Sequence, residues 1–84
     1  MISNTSGFFN TATGTDALAT NTLGYSNAAH GTNALFMNST GFYNTATGAD
    51  ALRSNTTGQS NTVSGFSSLF NNTTGSRNTA IGHV

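Results

Sequence analysis

The sequence predicts an all-β chain, wound as a parallel β-solenoid (a β-roll) of 17-residue coils with two short strands in each. Three observations lead there. Glycine stands at 7, 14, 24, 31, 41, 48, 58, 65, 75 and 82, so the gaps alternate between seven and ten and sum to a period of 17. Asparagine holds two fixed places in that period, and leucine a third. A repeat this short has no room for two packed helices and their turns, but it suits one coil of stacked strand and turn.

Cut from Asn4, the coils are NTSGFFNTATGTDALAT (4–20), NTLGYSNAAHGTNALFM (21–37), NSTGFYNTATGADALRS (38–54), NTTGQSNTVSGFSSLFN (55–71) and NTTGSRNTAIGHV (72–84). They form one segment over residues 1–84. The first place is always Asn (Asn4, Asn21, Asn38, Asn55, Asn72), and so is the seventh (Asn10, Asn27, Asn44, Asn61, Asn78). Identical amides stacked one coil apart can donate and accept along the pile, so these ten residues are predicted to form two structural ladders. The fifteenth place is Leu18, Leu35, Leu52 and Leu69, the expected apolar filling. Ala12, Ala29, Ala46, Val63 and Ala80 share the ninth place, where a small side chain lets two walls lie close. In NTATG the Asn and Ala then point inward and both Thr outward, because strand side chains alternate. The two glycines of each coil are expected at its two bends, where φ is positive. Glycine or asparagine interrupts every possible helix.

Composition narrows the function. Asn, Thr, Ser and Gly make up 48 of 84 residues, and only 5% are charged. Disordered chains of low hydrophobicity usually carry much more charge or proline, and here there are four charges and no Pro. There is no Cys, so neither a disulfide framework nor a thiolate zinc site supports the fold. Net charge is zero with no basic patch, which argues against nucleic acid and anionic membranes as partners. No apolar run reaches spanning length, and MISNTSGFF lacks a signal-peptide pattern, so an export signal is expected elsewhere.

No catalytic, cofactor or metal residues are expected. Asp16 and Asp50 share one place, with Asn33 and Ser67 between them, as turn residues do. His30 and His83 lie several coils apart without a third ligand. Neither GxSxG nor GxGxxG occurs. Thr11/Thr13, Thr45/Thr47 and Thr62/Ser64 pair hydroxyls on one face, which raises ice binding as a third function. Ala28/His30 and Thr79/Ile81 break that array, and β-propensity with cross-strand contact accounts for it. Sequons at Asn4, Asn38, Asn55, Asn71 and Asn72 are what this composition produces by chance.

Some aromatic residues fall outside the core columns. The fifth place carries Phe8, Tyr25 and Phe42, and the sixteenth Phe36 and Phe70. These five form the candidate interface, since an exposed aromatic strip usually marks one. Lateral association in a trimer would bury it and thicken a thin core.

The motifs NTATG at 10–14 and 44–48, NTVSG at 61–65, NTAIG at 78–82, ALAT, ALRS and the NTTG at 55–58 and 72–75 resemble the head repeats of YadA-like trimeric autotransporter adhesins. They are similar also to tail-fibre-like proteins that end in an endosialidase-type chaperone. The resemblance spans nearly the whole chain. It implies a left-handed roll, three of which associate side by side on a bacterial surface or virion, and a role in adhesion or host recognition. No stalk, neck, anchor or chaperone of that family lies within these residues. Secreted curli-type subunits offer a second analogy in architecture alone. Five coils of 17 would be 85 residues against 84 here, which raises head-to-tail stacking into a filament as the alternative function.

Overall fold

The computed structural model describes residues 7–69 and 72–82. Five strands of three residues each, β1 (Thr11–Thr13), β2 (Ala28–His30), β3 (Thr45–Thr47), β4 (Thr62–Ser64) and β5 (Thr79–Ile81), lie parallel in chain order in one sheet. Thr11 pairs with Ala28, Ala28 with Thr45, Thr45 with Thr62 and Thr62 with Thr79, a shift of 17 residues at every step. The chain is thus a β-solenoid whose coils are the sequence repeat.

Side chains alternate across the sheet as the pattern requires. Ala29, Ala46 and Val63 face inward and are buried, while the outer positions of β3 and β4 are exposed. Leu18, Leu35 and Leu52 have no exposed surface and belong to one cluster, against which Leu69 packs. Ala17, Ala34 and Ala51, one residue before each leucine, complete the interior.

Opposite the sheet the coil departs from the expected second strand: among the described residues each coil carries one strand. The wall is a chain of overlapping turns. Ala17 N–H donates to the Gly14 carbonyl at 3.3 Å, Ala19 to Asp16 at 3.2 Å and Asn21 to Leu18 at 3.3 Å. Asp16 and Leu18, third in the first two turns, have φ of 60° and 54°, the positive value a type II turn needs there. A backbone that turns left-handed at every second residue contracts and bonds to itself, so it cannot run as an extended strand.

The same left-handed residues join the coils. Leu18 N–H reaches the Ala34 carbonyl at 3.0 Å and Leu35 that of Ala51 at 3.0 Å, both in the following coil. Asn33 reaches back to Thr15 at 2.9 Å and Asp50 to Thr32 at 2.8 Å. Left-handed backbone costs an L-residue ~1–2 kcal/mol, and here it swings the N–H out of the coil toward a neighbour. At a third corner, the N–H groups of Ser39, Thr40 and Gly41 all converge on the Thr56 carbonyl at 3.1 Å each, a nest filled by the next coil.

Both asparagine columns are ladders. In the first-place column, Asn38 Nδ2 donates to Asn21 Oδ1 at 2.8 Å and Asn55 Nδ2 to Asn38 Oδ1 at 2.9 Å. In the seventh-place column the backbone takes part: Asn44 N–H donates to Asn27 Oδ1 at 3.0 Å and Asn61 N–H to Asn44 Oδ1 at 3.1 Å. The columns meet at glycine carbonyls, where Gly58 O accepts from Asn55 Nδ2 at 3.2 Å and from Asn44 Nδ2 at 2.8 Å. Asn27 and Asn10, Asn61 and Asn78, and Asn72 and Asn55 make equivalent bonds. Asn4 lies outside the described residues. Buried amides satisfied in this way specify register, because a shift of one residue would strand every one of them.

The two glycines of a coil do different work, which corrects the expectation that both need positive φ. Gly14, Gly31, Gly48, Gly65 and Gly82 have φ of 111–131°. Gly24, Gly41 and Gly58 do not, and what excludes a side chain there is space. A Cβ on Gly41 would lie 2.5 Å from the Gly58 carbonyl oxygen and closer still to Asn38 Oδ1.

Candidate binding surface

The fifth and sixth places of the coil project from the corner between the glycine of close approach and the sheet. Phe8, Tyr25 and Phe42 pile up there. Phe8 and Tyr25 have centroids 5.0 Å apart and planes 6° apart, and Tyr25 and Phe42 are 4.8 Å and 2° apart. The spacing matches one coil rise, ~4.8 Å, so register along the axis and ring stacking are one constraint. Gln59 and Ser76 end the file.

Two further rings stand beside this stack. Phe9 meets Phe8 at 5.2 Å and 76°, and Tyr43 meets Tyr25 at 5.6 Å and 76° and Phe42 at 5.5 Å and 74°. Tyr43 is therefore equidistant from two stacked rings whose facing surfaces are closed to it. Only their edges are available, so they press on one face of Tyr43 and leave its other face outward. Phe9 is 80% exposed and Tyr43 57%. Phe9, Ser26 and Tyr43 occupy one column with φ of 58°, 54° and 58°, which aims the three side chains alike.

Of the candidate interface read from sequence, the structure brings Phe8, Tyr25 and Phe42 together. Phe36 stands apart: no ring contact joins it to the stack among the described residues, and the Arg53 guanidinium lies 5.2 Å over its ring. Arg53 also pairs with Asp50 at 3.6 Å, a partly exposed ion pair at the surface that contributes little. Phe70 lies outside the described residues. Phe9 and Tyr43 were missed because Ser26 and Ser60 interrupt their column. The signal for them was the doublets Phe8–Phe9 and Phe42–Tyr43, recurring two coils apart.

The outer sheet face carries Thr45, Thr47, Thr62 and Ser64 in register, flanked by Ala28 and His30 on one side and Thr79 and Ile81 on the other. Ile81 is 85% exposed, so the hydroxyl field is small and ends on an apolar side chain. Among the described residues no cavity opens, no three His, Asp or Glu side chains converge, and no helix is long and apolar enough to cross a membrane. Comparison of the chain with family models, with curated proteins and with solved structures gives no match.

Proposed function

We propose that this chain is a structural and adhesive segment of an extracellular fibre on a bacterial surface or virion, acting by contact and not by catalysis. The observation that carries the reading is an aromatic file displayed on the edge of a stack of coils whose interior varies little from coil to coil. The parallel register and the asparagine ladders repeat without change along the axis, which suits a spacer that must hold its shape. The coils differ at the surface, in the fifth, sixth and sixteenth places, where a partner would make contact. The resemblance to YadA-like head repeats supports the same reading and extends it to three copies side by side, held through surfaces such as the half-buried Phe36 and exposed Met37.

Beads coated with the chain provide the test. They are expected to attach to host-cell monolayers or extracellular matrix well above beads carrying a scrambled sequence of the same composition. Equal attachment of the two would overturn the adhesive role. Sedimentation of the free chain reads the assembly separately, with a discrete trimer expected.

A further inference from the structure

We infer that Phe9 and Tyr43 form a two-ring platform for an uncharged, flat, β-1,4-linked glycan chain laid along the solenoid axis. The inference deepens the adhesive reading and rests on it for what the fibre adheres to.

The geometry has three parts. Both rings offer a face: Tyr43 is pinned from behind by the edges of Tyr25 and Phe42, and Phe9 sits in the same way against Phe8. The two rings stand alike against members of one stack, Phe9 to Phe8 at 5.2 Å and 76° and Tyr43 to Phe42 at 5.5 Å and 74°, and share one φ and one column of the repeat. Their separation is fixed at two coil rises, about 9.6 Å. A ring lying flat along the axis is wider than one coil rise, so a flat ring fits at every second coil, and Ser26 leaves the gap between.

The chemistry follows from that spacing. A β-1,4-linked pyranose chain turns over at each sugar and shows the same C–H-bearing face at every second one, about two coil rises on. Those C–H groups carry partial positive charge and match the negative face of an aromatic ring. An α-1,4-linked chain curls and loses the match. Charge decides against acidic glycans and acidic peptides. The chain has two basic residues, Arg53 and Arg77. Arg53 is engaged with Phe36 and Asp50, and Arg77 lies two coils beyond Tyr43. Around the rings stand Ser26, Ser60, Gln59 and the Tyr43 hydroxyl, uncharged groups suited to sugar hydroxyls.

Calorimetric titration of the full chain with cellohexaose tests the inference, with maltohexaose and a polyuronate as comparison ligands. Cellohexaose is expected to bind, and the other two at least tenfold more weakly. Phe9→Ser and Tyr43→Ser should each weaken cellohexaose binding by roughly tenfold, while Tyr43→Phe binds like the parent. Both serine variants keep the fold, because Ser26 and Ser60 already occupy that column at φ of 54° and 58°; far-UV circular dichroism checks it. No binding of cellohexaose, equal binding of maltohexaose, or serine variants that bind like the parent would each overturn the platform. So would serine variants that dissociate an oligomer in sedimentation, since the rings would then be a contact between copies. Coated beads that still attach while cellohexaose fails would sink the platform alone and leave the adhesive role standing.

Discussion

Replacing Asn44 tests the ladder where it is most enclosed. Its side chain is fully buried and makes three bonds: Oδ1 accepts from the Asn61 N–H at 3.1 Å and from Asn61 Nδ2 at 3.0 Å, and Nδ2 donates to Gly58 O at 2.8 Å. In Asn44→Ala two of the three partners keep another bond, Asn61 Nδ2 to Gly75 O and Gly58 O from Asn55 Nδ2. The Asn61 N–H has no second acceptor and is left buried. One orphaned donor costs about 1–3 kcal/mol, and the space left by the amide adds to it, for a loss of about 2–4 kcal/mol. A chain of this length is typically stable by about 4–13 kcal/mol, so the change is large. With a urea slope of about 1 kcal/mol/M, the midpoint followed by circular dichroism should fall by roughly 2 M or more. Asn44→Asp separates charge from shape. The protonated acid still accepts from Asn61 N–H and can donate to Gly58 O, whereas the carboxylate faces that carbonyl without a proton. Burial and the carbonyl push the folded-state pKa above the unfolded value of ~3.9, so stability is near that of the parent below that pH. It then falls as pH rises, by up to ~1.4 kcal/mol per pH unit, until the folded-state pKa is passed. An Asn44→Ala loss under 0.5 kcal/mol, or an Asn44→Asp variant indifferent to pH, would refute the ladder as a source of stability.

Three other positions give independent readings. Ser68 fills the place held by Ala17, Ala34 and Ala51, and its buried Oγ has no hydrogen-bond partner, so Ser68→Ala should stabilise by about 1 kcal/mol. In a domain of this size that raises Tm by about 4–8 °C, and a fall would mean the hydroxyl has a role. Gly41→Ala drives a Cβ into both ladders and should cost about 3 kcal/mol or more, whereas Gly82→Ala, in the last described coil, meets nothing within 4 Å and carries only the backbone cost of φ 111°, about 1–2 kcal/mol. Equal losses in denaturant titration would refute close approach between coils as the reason for glycine at 41.

Much of this architecture is legible in the sequence because translation along an axis converts a period into contacts. Once Gly7, Gly14, Gly24 and the rest give 17, every residue must meet its equivalent 17 places on, and Asn38 over Asn21 or Ala46 over Ala29 follows. What escaped is set by backbone rotation, which the period does not carry. Leu35 reads from sequence only as apolar filling, and nothing in its identity announces that it has φ of 53° and donates to Ala51 in the next coil. Those bonds between coils turn the backbone left-handed there, in place of the expected second strand of the coil. Gly41 reads from sequence as a corner that needs positive φ; it does lie at a corner, but its φ is not positive, and close approach of the next coil and of Asn38 is what requires glycine. The aromatic stack was visible as a column, since identical places stack. The outward faces of Phe9 and Tyr43 depend on which ring supports which, and no spacing in the sequence states that.

The left-handed residues tie the stability of this fold to its length. Among the described residues thirteen non-glycine ones hold φ between 51° and 62°, and for most of them the return is an N–H bond to another coil, as in Ser60 to Phe42 at 3.0 Å and Arg77 to Gln59 at 3.0 Å. A single coil would bear the backbone cost with none of these bonds, so no coil is stable alone and each one added supplies partners to its neighbour. Interior places are therefore held mostly to Asn, Gly, Ala and Leu by contacts on both sides along the axis, with Val63 and Ser68 as small replacements for Ala. The sixth place bonds to its neighbouring coil through its backbone, as Ser26 N–H to Phe8 O at 3.0 Å and Tyr43 N–H to Tyr25 O at 3.1 Å demonstrate with unlike side chains. Its side chain is free to change without disturbing those bonds, and a binding function can settle there at little cost to folding.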